Sequence, residues 1–230
     1  MAHVAIAKDD LQEIERAFPK LKLGSFKGFP AIIGTIDVSD VAGNFLEDFE
    51  IAILIPRTYP FGVPLLWEIS EKLPREEQDH VSPDGLCCVD MDTDLIVWSR
   101  HGILIADFLK EKVYPFLIGT LFKQSSGHYA AGEYLHGTEG RLQRYREKLS
   151  TTDDSFVERS LELYLTIPFP RRNQQCWCHS GMKFKNCHLS AWEWLKSVGR
   201  PKVAGDLLEI REYLGITACT RSGESPPSCA

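Results

Sequence analysis

Residues 59–70 read YPFGVPLLWEIS and residues 80–99 read HVSPDGLCCVDMDTDLIVWS, with a charged spacer between them. The first block follows an apolar run at 51–55, and its prolines cannot donate to a sheet ladder, so it predicts a strand end and a turn. Pro83, Asp84 and Gly85 then favour a chain reversal, because each residue type suits a turn for its own reason. The pattern places two thiols, Cys87 and Cys88, directly after a tight turn.

The local sequence gives these thiols no activating group. Neither has a Lys, Arg or His within five residues. A cysteine far from positive charge keeps a pKa near its ordinary value, and only the thiolate is nucleophilic. Any activation is therefore expected to come from the folded site.

The order of residues in this stretch resembles the catalytic half of ubiquitin-conjugating enzymes. That pattern has a Tyr-Pro, a second Pro, a polar loop residue, Gly-x-x-Cys-x-Asp and a Trp-Ser before a long helix. It is carried here by Tyr59, Pro60, Pro64, His80, Gly85, Cys88, Asp90, Trp98 and Ser99. The register selects Cys88 over Cys87 as the thioester cysteine. The resemblance covers residues 1–150 by motif order.

Two features depart from the eukaryotic form of the family. Its His-Pro-Asn, whose Asn supports the oxyanion, is absent, and His80 stands about where that Asn would fall. The resemblance implies that His80 donates in its place, as in bacterial members. Removing such a donor typically costs roughly 100- to 1000-fold in turnover. The segment GEYLHG at 132–137 resembles a bacterial motif and offers His136 as a group that folds back toward the thiol.

Each of these residues also has a simpler interpretation. Cys87 by itself is best explained as a small buried hydrophobe. His80 could equally be a satisfied polar group, and the glycines around His136 describe a loop with a structural histidine just as well. The acidic residues after the thiol could orient an incoming lysine or simply be solvated; they are Asp90, Asp92 and Asp94.

A second cluster of ligand-type residues lies near the C-terminus. Residues 176–188 read CWCHSGMKFKNCH, so Cys176 and Cys178 are close together and Cys187 and His188 follow after eight intervening residues. Three thiolates and one imidazole satisfy a tetrahedral zinc ion as a closed, structural site. His179 is a competing ligand, but its place before the Ser-Gly turn predicts a solvent-facing side chain.

This cluster resembles the SEC-C motif, whose pattern is Cys-x-Cys-x-Ser-Gly followed by a terminal Cys-Cys or Cys-His pair. The alternative is a set of free thiols without metal, which four potential ligands in thirteen residues make improbable. The resemblance implies a docking module but not its partner. Positive charge from Arg171, Arg172, Lys183 and Lys185 favours an acidic partner and is too small a patch to predict nucleic acid.

The composition is that of a globular protein of ordinary make-up. The 230 residues are 43% hydrophobic and 25% charged, with a net charge of −6. We find neither a signal-peptide pattern nor an apolar run long enough for a membrane span, and seven cysteines in this arrangement fit a reducing compartment. The sequence thus predicts a cytoplasmic protein in which Cys219 and Cys229 are unpaired.

Hydrophobic periodicity predicts an α+β chain with a first helix, an antiparallel meander, a thiol loop and a long helix. This order resembles the ubiquitin-conjugating-enzyme fold, which the resemblance above implies. The predicted elements are a helix at 8–18 capped by Asp9 or Asp10, strands at 30–38, 45–55 and 65–69, a loop at 70–100, and a helix at 101–122 that bends at Pro115. The predicted domains are a catalytic domain at 1–150, a helical linker at 151–170, a SEC-C zinc module with short flanking helices at 171–215 and a loose tail at 216–230.

The function that the resemblance implies is ubiquitin-like conjugation in a bacterium. Cys88 would accept the C-terminus of a modifier, or of a partner with a similar tail, as a thioester and pass it to a lysine of an acceptor protein. An activating enzyme is implied, since the chain has no nucleotide-binding glycine loop. Family members occur in antiphage operons of the CBASS type, where a cyclic-oligonucleotide synthase is modified.

Two other functions stay open at this point. One is an inactive, conjugating-enzyme-like adaptor that only binds a partner, as in relatives that lost the thiol. The other makes Cys87 and Cys88 a redox pair, which is disfavoured because vicinal cysteines form strained disulfides.

Overall fold

The computed structural model describes residues 6–129 and 135–216, and it has a mixed α+β architecture. The chain divides into two compact units, residues 1–136 and residues 137–230. Three residues of the predicted GEYLHG motif, Gly132, Glu133 and Tyr134, lie outside the described residues. So do Cys219 and Cys229.

The first unit is built on an antiparallel meander. Within the described residues its sheet has five strands in the order β1-β2-β3-β4-β5. Their bounds are β1 Leu21–Phe26, β2 Phe29–Ser39, β3 Phe45–Leu54, β4 Leu65–Glu68 and β5 Leu86–Cys87. The three predicted strands are confirmed to within about one residue at each end, whereas β1 and β5 were not predicted as separate strands.

Alternation of apolar residues explains why one face of this sheet is buried. Ile32 and Ile36 on β2 and Phe49, Ile51 and Ile53 on β3 are at most 1% exposed. Because successive side chains of a strand point to opposite faces, this spacing of two directs all of them into one core. That core is closed by the helices of the same unit.

The first helix, α1 (Lys8–Ala17), begins as predicted, but its predicted cap is wrong. No side chain caps α1. Asp10 is buried instead, and its carboxylate accepts hydrogen bonds from the Tyr59 hydroxyl at 2.6 Å and from the backbone N–H groups of Ile105 and Ala106 at 2.8 and 2.9 Å. Asp10 therefore satisfies the N-terminal N–H groups of a different, later helix, where a carboxylate is favoured.

Helices follow the thiol loop sooner than predicted. The segment expected to be loop up to residue 100 contains α2 (Asp92–Ser99), which begins four residues after Cys88. The predicted helix at 101–122 begins later and consists of α3 (Ile105–Phe108), a π-helical turn (Leu109–Val113) and α4 (Tyr114–Ser126). The π-helical turn ends two residues before Pro115, which has no N–H to continue the helical ladder.

The second unit is a group of helices around the cysteine cluster. Its elements are α5 (Gly137–Leu149), α6 (Asp154–Thr166), a 3-10 turn (Phe184–Asn186), α7 (Leu189–Val198) and α8 (Arg200–Tyr213). Helix α5 packs against α6, α7 and α8. The Tyr145 hydroxyl of α5 donates to Asp206 of α8 at 2.7 Å, and both residues are buried.

These contacts move the predicted domain boundary. The units separate at residues 136 and 137 rather than at 150, because α5 buries its apolar side chains in the second unit. The segment 151–170, predicted as a helical linker, does carry a helix, α6, but its Val157, Ser160 and Leu161 are completely buried. A stretch with that much core surface is part of a folded unit and does not act as a linker.

Across residues 6–129 and 135–216, none of the helices combines the length and the apolar character that crossing a bilayer requires.

Candidate functional sites

The thiol loop is held by a turn that only glycine can occupy. Gly85 has φ +89°, and a Cβ there would lie 2.4 Å from the carbonyl oxygen of Glu68. The turn is closed by hydrogen bonds from Gly85 N–H to the Ser82 carbonyl and from Ser82 N–H to the Leu86 carbonyl, both at 2.9 Å. The predicted reversal before the cysteines is confirmed.

Cys87 lies at the end of β5 with its side chain in the core. It pairs with Leu66 of β4, is 7% exposed, and its thiol lies 3.5 Å from the carbonyl oxygen of Gly85. Burial raises the pKa of Cys87 to about 12, because the thiolate would lose its hydration. The side chain is thus placed as a packing residue.

Cys88 has the opposite placement. Its side chain is exposed, its N–H donates to the His80 carbonyl at 2.8 Å, and its thiol donates to the Asp90 carbonyl at 3.6 Å. Partial desolvation by the surrounding chain raises the pKa of Cys88, and the Asp92 and Asp90 carboxylates add to that rise. Because the side chain is exposed, the thiol is accessible to a large reactant. Because its pKa is raised, the thiol is mostly protonated at neutral pH.

The two predicted histidines lie next to each other. The ring centroids of His80 and His136 are 4.4 Å apart, and the ring of Tyr129 lies 5.8 Å from that of His80. His80 has φ +56°, in the left-handed region. The carbonyl of His80 also accepts the Cys88 N–H. The backbone therefore fixes His80 relative to the thiol.

The segment before His80 is anchored by α4. The Lys123 ammonium lies 3.2 Å from the buried carboxylate of Asp79, also donates to the Gln78 carbonyl, and sits 4.7 Å over the Tyr129 ring. Lys123 therefore contacts both the segment just before His80 and Tyr129, the aromatic neighbour of His80. Nothing in its position along the chain singles out Lys123.

Of the acidic residues after the thiol, Asp90 already has a basic partner. Its carboxylate lies 2.6 Å from the Lys112 ammonium and accepts the Met91 N–H at 2.7 Å. The Lys112 ammonium also lies 5.7 Å from the centroid of Trp98, a residue that packs against the core. The sequence interpretation missed Lys112, because its contact with Asp90 depends on how the π-helical turn faces the thiol loop.

The four predicted metal ligands of the second unit form one cluster. Their ligand atoms all lie within 4.8 Å of one another; the residues are Cys176, Cys178, Cys187 and His188. The closest distances are 3.1 Å from Cys187 Sγ to His188 Nδ1, 3.3 Å from Cys176 Sγ to the same nitrogen, and 3.5 Å between the sulfurs of Cys178 and Cys187. Tetrahedral zinc–thiolate geometry places sulfurs about 3.8 Å apart, so this donor set fits the ion.

A tight hairpin brings the two halves of the cluster together. Gln175 and Lys183 form a bridge, and the Cys176 N–H donates to the Met182 carbonyl at 2.9 Å. His179, in the turn, has φ +60°, is exposed, and is not one of the clustered residues. Its predicted solvent-facing position agrees with this geometry.

Aromatic side chains surround the cluster. The ring of Trp177 lies 5.0 Å from that of His188, and Phe156 of α6 stacks on Trp177 at 5.3 Å. Trp192 of α7 is completely buried, and its ring lies 5.7 Å from that of Phe184 in the 3-10 turn before Cys187. Burial lowers the pKa of His188 and so favours the neutral imidazole that a metal requires.

Comparison with known proteins identifies this part of the chain. Residues 172–190 match the SEC-C motif, which spans all four clustered ligands. Searches of the curated proteins and of the solved structures return no match to this chain. The chain therefore contains a SEC-C motif with a Cys3His cluster compatible with a metal site, for which zinc is the usual ion.

Proposed function

We propose that the chain is a bacterial conjugating enzyme of the ubiquitin-like type, in which Cys88 carries the acyl group and the first unit has the ubiquitin-conjugating-enzyme fold. The single observation that supports this best is the contrast between the two adjacent thiols. Cys87 is buried in β5, whereas Cys88 is exposed and its backbone is bonded to His80. A thioester carrier needs such an accessible sulfur on a rigid support.

The architecture of the first unit supports the same proposal. It has α1, an antiparallel meander, a thiol loop and then helices, in the order that the resemblance implies. The Tyr59 hydroxyl, from the Tyr-Pro pair of that resemblance, donates to the buried Asp10 carboxylate at 2.6 Å. This contact attaches the segment before the thiol loop to α1.

The proposed chemistry has two exchange steps. In the first, the Cys88 thiolate attacks the acyl carbon of a modifier that arrives as a thioester on an activating enzyme; a new C–S bond forms, the donor C–S bond breaks, and the donor cysteine leaves as a thiolate that takes a proton. In the second, a lysine amine attacks the same carbon, a C–N bond forms, Cys88 leaves as a thiolate, and the amine loses a proton to solvent or to a base.

Within this scheme, His80 would stabilise the oxyanion of the tetrahedral intermediate that forms when the lysine amine attacks the thioester. An imidazole N–H can donate to a developing negative charge, and a donor fixed before the reaction is worth more than one that must reorganise. His136 lies 4.4 Å from His80 between ring centroids, so its proposed role is to orient the His80 ring or to exchange a proton with it.

The proposed partners follow from this chemistry. They are a ubiquitin-like modifier or a protein with a similar C-terminal tail, an activating enzyme, and a lysine-bearing acceptor. A cyclic-oligonucleotide synthase in an antiphage operon of the CBASS type, in the cytoplasm, is the context that the resemblance implies. Zinc in the SEC-C module would be structural, because the clustered donor set fills all four tetrahedral positions.

A second function is a conjugating-enzyme-like adaptor that binds a partner without transfer. The raised pKa of Cys88, caused by desolvation and by the Asp92 and Asp90 carboxylates, favours this alternative, since a nucleophilic cysteine usually has a lowered pKa. An incoming thioester, however, needs only a small thiolate fraction. An adaptor predicts that Cys88 is dispensable for function.

The test is intact mass analysis of the protein co-expressed with its operon neighbours. The wild type should carry an adduct that a thiol reagent removes, Cys88→Ala should carry none, and Cys88→Ser should carry a thiol-resistant ester. Cys87→Ala is the matched control and should keep the adduct. If no variant carries an adduct while a competent activating partner is present, the enzyme proposal is wrong and the adaptor replaces it.

A further inference from the structure

Lys112 connects the segment just after the thiols to the helical segments that follow it. It belongs to the π-helical turn Leu109–Val113, and its ammonium lies 2.6 Å from the Asp90 carboxylate and 5.7 Å from the Trp98 ring centroid. The backbone carbonyl of Asp90 in turn accepts a hydrogen bond from the Cys88 thiol at 3.6 Å. Lys112 is thus two contacts away from the reacting sulfur.

We propose that Lys112 is a positioning residue for the Cys88 thiol, acting through Asp90. It holds the carboxylate of Asp90 against its ammonium and thereby keeps that negative charge in place beside the thiol. Its positive charge also offsets one of the two carboxylates that face the sulfur. The consequence for acyl transfer rests on the proposed function, whereas the effect on the thiol itself does not.

The partial burial of the Lys112–Asp90 ion pair indicates that it holds Asp90 in place more firmly than an exposed pair would. The Lys112 and Asp90 side chains are 28% and 24% exposed, so the pair is screened less by solvent than an ordinary surface pair. Asp90 is also held by the Met91 N–H at 2.7 Å, and Lys112 gains a cation–π contact with Trp98. Both partners are therefore fixed by more than their mutual attraction.

The charges around the thiol predict whether replacing Lys112 raises or lowers the reactivity of Cys88. Asp90 and Asp92 both favour the protonated thiol, and Lys112 faces Asp90 from the π-helical turn. His80 lies on the segment before the thiol and His136 on a segment after it. A carboxylate paired with an ammonium has a weaker field at a distance than a lone carboxylate. Removing the ammonium should therefore make Cys88 a poorer nucleophile.

The experiment is the rate of iodoacetamide labelling of Cys88, followed by peptide mass spectrometry from about pH 6.5 to pH 9.5. Lys112→Met should lower the rate at neutral pH by roughly threefold or more and move the pH profile upward, because only the thiolate reacts. Lys112→Arg should restore most of the rate. Lys112→Gln is a second neutral variant, used if Lys112→Met does not fold.

A double-mutant cycle tests whether Lys112 acts through Asp90. Asp90→Asn removes one carboxylate and should raise the labelling rate. In that background Lys112→Met should cost less than in the wild type, because only the direct field of the ammonium is lost and no carboxylate is left that the loss of Lys112 could release toward the sulfur. The proposal is overturned if Lys112→Met leaves the wild-type rate unchanged, or if it lowers the rate equally in the Asp90→Asn background. Labelling needs no modifier, so a failure here is distinct from a failure to form the thioester.

Discussion

The carbonyl of His80 accepts the N–H of Cys88 at 2.8 Å, so the residue proposed as the oxyanion donor and the residue proposed as the acyl carrier are joined through the backbone. A backbone bond fixes their relative position without consuming either side chain. The imidazole of His80 makes contacts of its own, among them one with the ring of His136 at 4.4 Å between centroids. This coupling makes the chemistry of the loop testable one residue at a time.

The first prediction concerns His80 itself. His80→Ala should lower the rate of lysine transfer by roughly 100-fold or more, because an oxyanion donor is lost, while His80→Asn should recover much of that rate by supplying an amide N–H. Single-turnover discharge of the Cys88 thioester to free lysine measures this step. The backbone bond to Cys88 does not depend on the side chain, so formation of the thioester should change less than its discharge.

An equal loss in thioester formation and in discharge would contradict this role. His136→Ala is the matched comparison. If His136 only orients the His80 ring, its removal should cost less than the removal of His80 and should add little to the His80→Ala variant.

The second prediction concerns selective labelling of the two adjacent thiols. Iodoacetamide should modify Cys88 and leave Cys87 untouched in the folded protein, because Cys87 is buried and its pKa is raised to about 12. The pKa of Cys88 is also raised, by desolvation first and then by Asp92 and Asp90, so its thiolate is the minor form near neutral pH. Its labelling rate should rise about tenfold per pH unit below that pKa.

Peptide mapping after timed labelling gives both rates. Comparable labelling of Cys87 and Cys88 under native conditions would show that β5 does not bury Cys87. Labelling of both in denaturant is the internal control, since unfolding removes the difference in burial.

The third prediction concerns the turn before the thiols. Gly85→Ala should destabilise the first unit by about 2 kcal/mol or more, because it combines φ +89° with a Cβ 2.4 Å from the Glu68 carbonyl oxygen. Gly43→Ala is the matched control: its φ is +84°, but nothing lies within 4 Å of its Cβ. Gly43→Ala should lower the free energy of unfolding by the backbone strain alone, about 1 kcal/mol. Urea unfolding followed by circular dichroism compares the two, and equal losses would mean that the close approach at Gly85 has no effect.

The fourth prediction concerns the SEC-C cluster. The purified protein should contain one zinc ion per chain, and Cys178→Ala should remove it, because a tetrahedral site loses a quarter of its ligands. Metal binding of this type is worth roughly 10 to 16 kcal/mol in model peptides, so a strong chelator should unfold the hairpin at 176–188. Elemental analysis measures the metal, and tryptophan fluorescence reports the unfolding, since Trp177 and Trp192 pack around the cluster.

His179→Ala is the control for that experiment. This histidine is exposed and outside the cluster, so its substitution should leave the zinc content unchanged. A loss of zinc in His179→Ala, with retention in His188→Ala, would reverse the assignment of the imidazole ligand.

The sequence by itself determined the features that depend on near neighbours along the chain. The strands at 30–38, 45–55 and 65–69 were predictable because apolar residues alternate along them, and the ligands Cys176, Cys178, Cys187 and His188 were predictable because one hairpin holds all four. The turn at Gly85 was predictable for the same reason, since its φ is a local property. The motif register favours Cys88 over Cys87 as the acyl carrier, and Cys88 is the exposed one of the two.

Tertiary structure alone decided the relationships between distant segments. Asp9 or Asp10 was predicted to cap the first helix, yet the buried Asp10 carboxylate accepts the N–H groups of Ile105 and Ala106 from a distant segment. Lys112 reaches Asp90 only because a π-helical turn directs it toward the thiol loop, and α5 joins the second unit because its apolar face packs there. Hydrophobic periodicity tells which face of an element is buried, but the element that covers that face is set by packing in three dimensions.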